Sequence, residues 1–221
     1  MRTTWARWAV FVAGALLVGF ALSRSGDPPA ARLLEHRFLA MGTEAVVKAE
    51  WPADRAGGFA ACMEELEAAV RRVEKRMSRF DPESDVSRFN AAAPGEMVAV
   101  DPLTWMALTE AMRVHVLSGG AFDPTVLPLL RLYDWGNREA RHFPGDDAVA
   151  AARAVVGMDK IVWEREGMRV GKRVAGVQLD LGGVAKGLGV DLAAGCLAAR
   201  GVRNAVVDIG GEQRVLGRAL A

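Results

Sequence analysis

Residues 178–191, QLDLGGVAKGLGVD, constrain this chain more than any other stretch. A short apolar run with one carboxylate, Asp180, passes through Gly182 and Gly183. It then becomes a helical pattern with Val184, Leu188, Leu192 and Cys196 at four-residue spacing. That order reads as a strand, a glycine turn and a helix start. Glycines at the turn leave out the Cβ atoms, so a ligand can approach the main chain, and the free N–H groups of a helix start favour an anion. Asp180 and Lys186 bring a carboxylate and a cation to the same place. The residue after Lys186 is Gly187, which excludes a GxxxxGK[ST] phosphate loop, and no GxGxxG order precedes the helix. Taken alone, the pattern fits equally well a glycine-rich turn with a solvated lysine and aspartate.

With 221 residues, 51% of them hydrophobic, the chain can bury the core of one large domain or two small ones. The net charge is +1 and no Lys/Arg stripe interleaved with aromatics occurs, so a nucleic-acid partner is not expected. The basic run at 71–76 lies on the polar side of a helical pattern and reads as a solvated face. Residues 1–23 read as an export segment: Arg2 and Arg7 precede an apolar run from Ala9 to Leu22, with small residues near Ser23. A cleaved signal peptide and a membrane anchor both fit, and both place the protein in the periplasm or on the inner membrane facing it. Residues 24–31, with Gly26, Pro28 and Pro29, read as a linker to a folded domain at 32–221. Cys62 and Cys196 occupy apolar helical positions and are expected as buried free thiols, with a disulfide as the alternative. His36, His115 and His142 are scattered without zinc spacing.

Along the chain, residues 33–38 and 43–49 read as strands joined through Met41 and Gly42. Residues 54–80 read as a helix whose apolar face holds Phe59, Met63, Leu66, Val70, Val73 and Met77. Residues 78–90 read as a polar loop with two aromatics, suited to stacking a ligand or to filling a groove in the protein itself. Asp101 and Pro102 start a helix that Gly119 and Gly120 end. Asp123 precedes Pro124 and fits an Asx turn. A helix at 146–156, a hairpin around 161–170 and strands at 205–207 and 214–216 complete an α+β pattern with a mostly antiparallel sheet.

The motifs Met41-Gly42-Thr43, residues 78–90, AFDPTV at 121–126, LDLGGVAKG at 179–187 and residues 204–211 occur in one order. Together they resemble the FAD:protein FMN transferases, the ApbE family, over residues 36–217. The resemblance implies Mg²⁺-dependent cleavage of FAD and attachment of FMN to a threonine of an acceptor protein. Typical acceptors are a subunit of a membrane redox pump or a related flavoprotein. It also implies that Met41 and Phe80 line the flavin site, with Phe80 standing where many members have tyrosine. Ala121, Phe122, Asp123, Asp180 and Lys186 would contact FAD, and Gly183 would offer its carbonyl to the metal. Family members supply a histidine from a His…Asp-Pro-x-Thr-Gly stretch; its counterpart is expected beyond Ala221, so the catalytic residue is unassigned here. The chain therefore reads as the N-terminal two-thirds of such an enzyme, or as a shortened relative. A flavin-binding or scaffold protein without catalysis and an FAD pyrophosphatase are the alternatives.

Overall fold

The computed structural model describes residues 31–135, 143–218 and 220. The export segment, residues 24–30 of the linker and His142 lie outside them. The described strands are β1 (Ala31–Ala40), β2 (Thr43–Pro52), β3 (Met97–Ala99), β4 (Ile161–Glu164), β5 (Arg169–Lys172), β6 (Ala205–Ile209) and β7 (Glu212–Leu216). The described α-helices are α1 (Phe59–Met77), α2 (Asp85–Ala91), α3 (Pro102–Leu117), α4 (Leu127–Leu132), α5 (Asp146–Ala154) and α6 (Gly182–Ala199). One antiparallel sheet runs β1-β2-β6-β7 and a second runs β3-β5-β4. The fold is α+β with antiparallel sheets flanked by helices, as the sequence pattern implies.

In the first hairpin Ala40 lies opposite Thr43, so Met41 and Gly42 alone make the turn. Both have positive φ, 54° and 71°, the two-residue geometry whose twist matches the flanking strands. Glycine enters that region freely, whereas a methionine there costs about 1–2 kcal/mol. The β6–β7 hairpin makes its turn with Gly210 and Gly211, at φ 60° and 96°.

Along β2, Ala45, Val47, Ala49 and Trp51 are buried in strict alternation, giving the sheet one inward face. Helix α1 packs on that face through Cys62, Met63, Leu66 and Val70, then carries Val73 and Met77 into a second core. Each such side chain contributes about 1.5–3 kcal/mol on burial, far more than helix propensity supplies. The second core holds Phe89, Leu108, Ile161, Val170, Leu179 and Leu181. Met41 packs against both cores.

Four expectations need correction. The helix at 54–80 is shorter, because residues Ala53–Gly58 form a 3₁₀ turn and Ser78 leaves the helix with ψ 123°. The polar loop at 78–90 contains α2, capped by Ser84, whose Oγ accepts from the Ser87 N–H at 2.9 Å. The strand before the glycines does not form: a single parallel bridge joins Gln178 to Val126, and the rest of the segment is held by the Asn90 side chain and the Pro124 main-chain carbonyl. On α6 the fully buried face is Ala185, Gly189, Val190, Ala193, Ala194 and Leu197, while Val184, Leu188, Leu192 and Cys196 form its half-buried flank. Small residues win the buried face because α1 and the sheet approach α6 closely there; a Cβ on Gly189 would lie 3.3 Å from Ile209 and from the Met41 sulfur.

Helix α6 is long and apolar enough to cross a membrane by composition, yet its buried face is shared between the two cores. Both cysteines are free thiols, Cys62 buried and Cys196 half-buried, and burial pushes each thiol above its ordinary range.

Candidate functional site

A cleft of about 560 Å³ opens where the first hairpin turn, the end of α1 and the start of α6 meet. Met41 and Gly42 enter from the turn, Glu74 and Met77 from α1, and Ser78, Arg79 and Phe80 from the segment after it. Asp180, Gly182, Gly183, Ala185 and Lys186 form a further wall, and Leu130 and Trp135 complete the lining. Five expected site positions, Met41, Phe80, Asp180, Gly183 and Lys186, thus share one cavity.

The Asp180 wall is fixed by a residue 89 positions away. Asn90 donates from its side-chain amide to the Leu179 carbonyl at 3.0 Å and accepts the Leu179 N–H at 2.7 Å. The Asp180 N–H donates to the Pro124 carbonyl at 2.8 Å. Behind Asn90, the buried Lys172 ammonium donates to the carbonyls of Asn90 and Val177, each at 3.0 Å, and lies 5.0 Å from the centre of the Phe89 ring. Burial holds that ammonium below the ordinary lysine range, partly offset by Glu96.

Asp180 itself is fully engaged. Its Oδ1 accepts the Gly182 N–H at 2.7 Å, and its Oδ2 lies 3.3 Å from Arg79 Nε. The first N–H of α6 is therefore capped from within the chain, not left open to an anion. The two glycines also serve their neighbours: a Cβ on Gly182 would stand 2.9 Å from Asp180 Oδ1, and one on Gly183 would stand 3.0 Å from the Phe122 ring. Lys186 Nζ is 3.9 Å from Glu212 Oε1, a loose pair that leaves the lysine a third exposed.

Ala121, Phe122 and Asp123 are not among the lining residues; of the three, Phe122 reaches the Gly183 wall with its ring. Asp123 Oδ1 accepts the Thr125 N–H at 2.8 Å and its hydroxyl at 2.5 Å, which is the Asx-type turn that the sequence suggests. The buried Thr125 in turn accepts the Gly157 N–H at 2.7 Å. His115 Nδ1 is 2.8 Å from the Phe122 carbonyl and 3.6 Å from Asp123 Oδ2, so this lone histidine fastens the loop. Sequence reasoning gave no role to Arg79, Glu74, Asn90, Lys172, Leu130 or Trp135. Arg79 was the legible one, since it adjoins Phe80 in a segment already singled out for its aromatics.

Exposed aromatic rings, Phe80 at 83% and Trp135 at 71%, share the cleft with the cations Arg79 and Lys186. Such a cleft, which also carries the carboxylates Glu74 and Asp180, defines a class, an α+β protein with exposed rings and charges of both signs around one cavity. Residues 41–221 match the ApbE family, and the chain belongs to that family. It is 37% identical over 155 residues to the FAD:protein FMN transferase of Vibrio cholerae, covering 69% of this chain and 46% of that protein. It is 30% identical over 211 residues to that of Haemophilus influenzae, covering 94% and 61%. Among solved structures, the flavin transferase ApbE from Vibrio cholerae superposes with TM-score 0.78 at 32% identity, over 85% of this chain and 60% of that one. The flavinyl transferase ApbE of Pseudomonas stutzeri, in its apo form, gives 0.77 at 31%, with the same coverage. The chain thus spans about half to three-fifths of the length of these relatives.

Proposed function

We propose that this chain carries the flavin-binding part of an exported transferase that cleaves FAD and attaches FMN to a threonine of an acceptor protein. The observation that carries the reading is the meeting of Met41, Phe80, Asp180, Gly183 and Lys186 in one cleft, from motifs far apart in sequence. In this reading Met41 and Phe80 contact the flavin, and Lys186 offsets phosphate charge. Asp180 orders the wall, Phe122 packs against it at Gly183, and Asp123 shapes the turn that carries Phe122. The acceptor is a membrane redox-complex subunit or a related flavoprotein. The basic and apolar residues at 1–23 support export to the periplasm or anchoring at the inner membrane.

Chemically, the threonine oxygen attacks the phosphorus of the FMN half, a new P–O bond forms, the pyrophosphate bond breaks and AMP leaves. The residue that takes the threonine proton is not assigned. Mg²⁺ would supply charge neutralisation at the phosphates. Among the described residues, however, no group of three or more His, Cys, Asp or Glu side chains could hold a metal ion. The Gly183 carbonyl alone does not make a magnesium site, so no step above is routed through the ion.

The test is to incubate a full-length version, carrying the sequence that follows Ala221 in its relatives, with FAD, Mg²⁺ and a threonine-bearing flavoprotein domain and to read in-gel flavin fluorescence. A fluorescent acceptor band that weakens strongly in Lys186→Ala is expected. Release of FMN and AMP without acceptor labelling would identify an FAD pyrophosphatase instead. Intact FAD retained on the protein would identify a flavin-binding protein without transfer chemistry.

A further inference from the structure

Phe80 poses a physical problem. It is an 83% exposed ring at the mouth of a cleft, outside both cores, and a side chain so placed has little packing to fix its rotamer. What touches it is Arg79, whose guanidinium carbon lies over the ring at 4.7 Å from the centroid. Arg79 is itself anchored, with Nε 3.3 Å from Asp180 Oδ2 and both side chains about four-fifths buried. Asp180 is held through Oδ1 by the Gly182 N–H. The Phe80 main chain is fixed as well, since its N–H donates to Ser78 Oγ at 3.2 Å.

We propose that Arg79 is a positioning residue: paired with Asp180 and stacked on Phe80, it sets that ring as a shelf whose outer face receives the planar ring of the ligand. The inference rests on the flavin reading above and deepens it. One face of Phe80 is occupied by the guanidinium and the other is turned outward, so a ligand ring completes a three-layer stack. A ring held in place before binding loses less rotamer freedom on binding than one that must be immobilised. Asp180 then supports the ligand through Arg79 and Phe80 as well as by capping α6. Arginine suits the task because its guanidinium is planar and stacks, whereas lysine keeps the charge but offers no plane.

A double-mutant cycle on FAD affinity, followed by titration calorimetry, tests this with Arg79→Lys, Phe80→Ala and the pair. Base-sized rings stacked on aromatic side chains set the scale: Phe80→Ala is expected to weaken FAD binding about tenfold, within the range such stacks show. Arg79→Lys is expected to weaken it several-fold in the parent and not at all in the Phe80→Ala background. Circular dichroism and melting temperature are followed in each variant, because a merely structural role would move those and leave the two losses additive. A full Arg79→Lys loss persisting in the Phe80→Ala background would overturn the proposal and mark Arg79 as a direct contact to the phosphates. An unchanged affinity in Arg79→Lys would overturn it too. If the parent protein binds no FAD at all, the flavin reading itself fails and takes the shelf with it; additive losses in a protein that binds FAD contradict the shelf alone.

Discussion

Asn90 shows how much one side chain decides here. Its amide satisfies both main-chain groups of Leu179, a residue only 1% exposed, and its own carbonyl accepts from buried Lys172. Removing the amide would strand a buried donor and a buried acceptor at the head of the Asp180 wall. Stranded groups of this kind cost about 1–3 kcal/mol each before relaxation. Asn90→Ala is therefore expected to lower unfolding free energy by about 2 kcal/mol or more in urea titrations, and to weaken FAD binding along with it. Asn90→Asp should also destabilise, because the carboxylate keeps the acceptor for the Leu179 N–H but loses the donor to its carbonyl. Met41 makes a complementary point. It sits at a left-handed turn position that glycine fills more readily, and it packs against both cores while lining the cleft. Strain tolerated at a cleft residue is what a demand for that side chain produces.

At the scale of elements, α3 is the helix whose start was most legible. Asp101 caps it by accepting the Leu103 N–H at 3.0 Å, with proline following, as the Asp-Pro order implies. The structure adds what the order could not carry. Arg72 and Arg76 of α1 reach Asp101 Oδ2 at 2.9 and 3.4 Å, so part of the basic run read as a solvated face ties α1 to α3. Burial pushes the Asp101 carboxyl up, but the Arg72 hydrogen bond, the Leu103 N–H and the two guanidinium charges outweigh it and hold the group below its ordinary value. The folded protein therefore binds fewer protons there than the unfolded chain does in acid. The resulting stability is present above the unfolded carboxyl value, about 4, and is lost as pH falls through the lower folded value. Asp101→Asn keeps a cap and removes the pairs. Its deficit relative to the parent should be about 1 kcal/mol or less near neutrality, since the arginines are half exposed, and should shrink toward zero as urea titrations are taken into acid. A deficit that stays constant down to strongly acidic pH would show that the cap, not the ion pairs, carries the effect.

Helices α1, α3, α5 and α6 and the hairpins are legible because each leaves a local signature. The periodic face of α1, the positive-φ turn residues and the Asp-Pro start of α3 are all short-range features. Apolar patterning reads 178–181 as a strand because it does not register the segment's actual partners, a side chain at Asn90 and a carbonyl at Pro124. Helix α2 leaves no periodic signal because seven residues are too few to show a period, although Ser84, which accepts the Ser87 N–H, is a readable cap. At the site, motifs marked Met41, Phe80, Asp180, Gly183 and Lys186, but Arg79 and Asn90 emerged only from contacts.

For the whole molecule, the main feature is that α1 and α6 each belong to both cores, and the cleft lies where the two cores meet at Met41. Residues from 41 to 186 reach one cavity only in the complete arrangement, so ligand binding reports on the assembled fold. The central claim is that this cleft holds FAD, and titrating FAD into the protein and two variants, read by flavin fluorescence, tests it most directly. Asp180→Ala removes the group that caps α6 and anchors Arg79, and is expected to weaken binding roughly ten- to a hundredfold, the loss of about 1.5–3 kcal/mol. Asp191→Ala is the control, because among the described residues Asp191 makes a surface pair with Arg214 at 3.2 Å, both side chains more than half exposed. Its affinity should match the parent. Equal weakening by both substitutions, or none by Asp180→Ala in a protein whose helical circular dichroism is intact, would contradict the account.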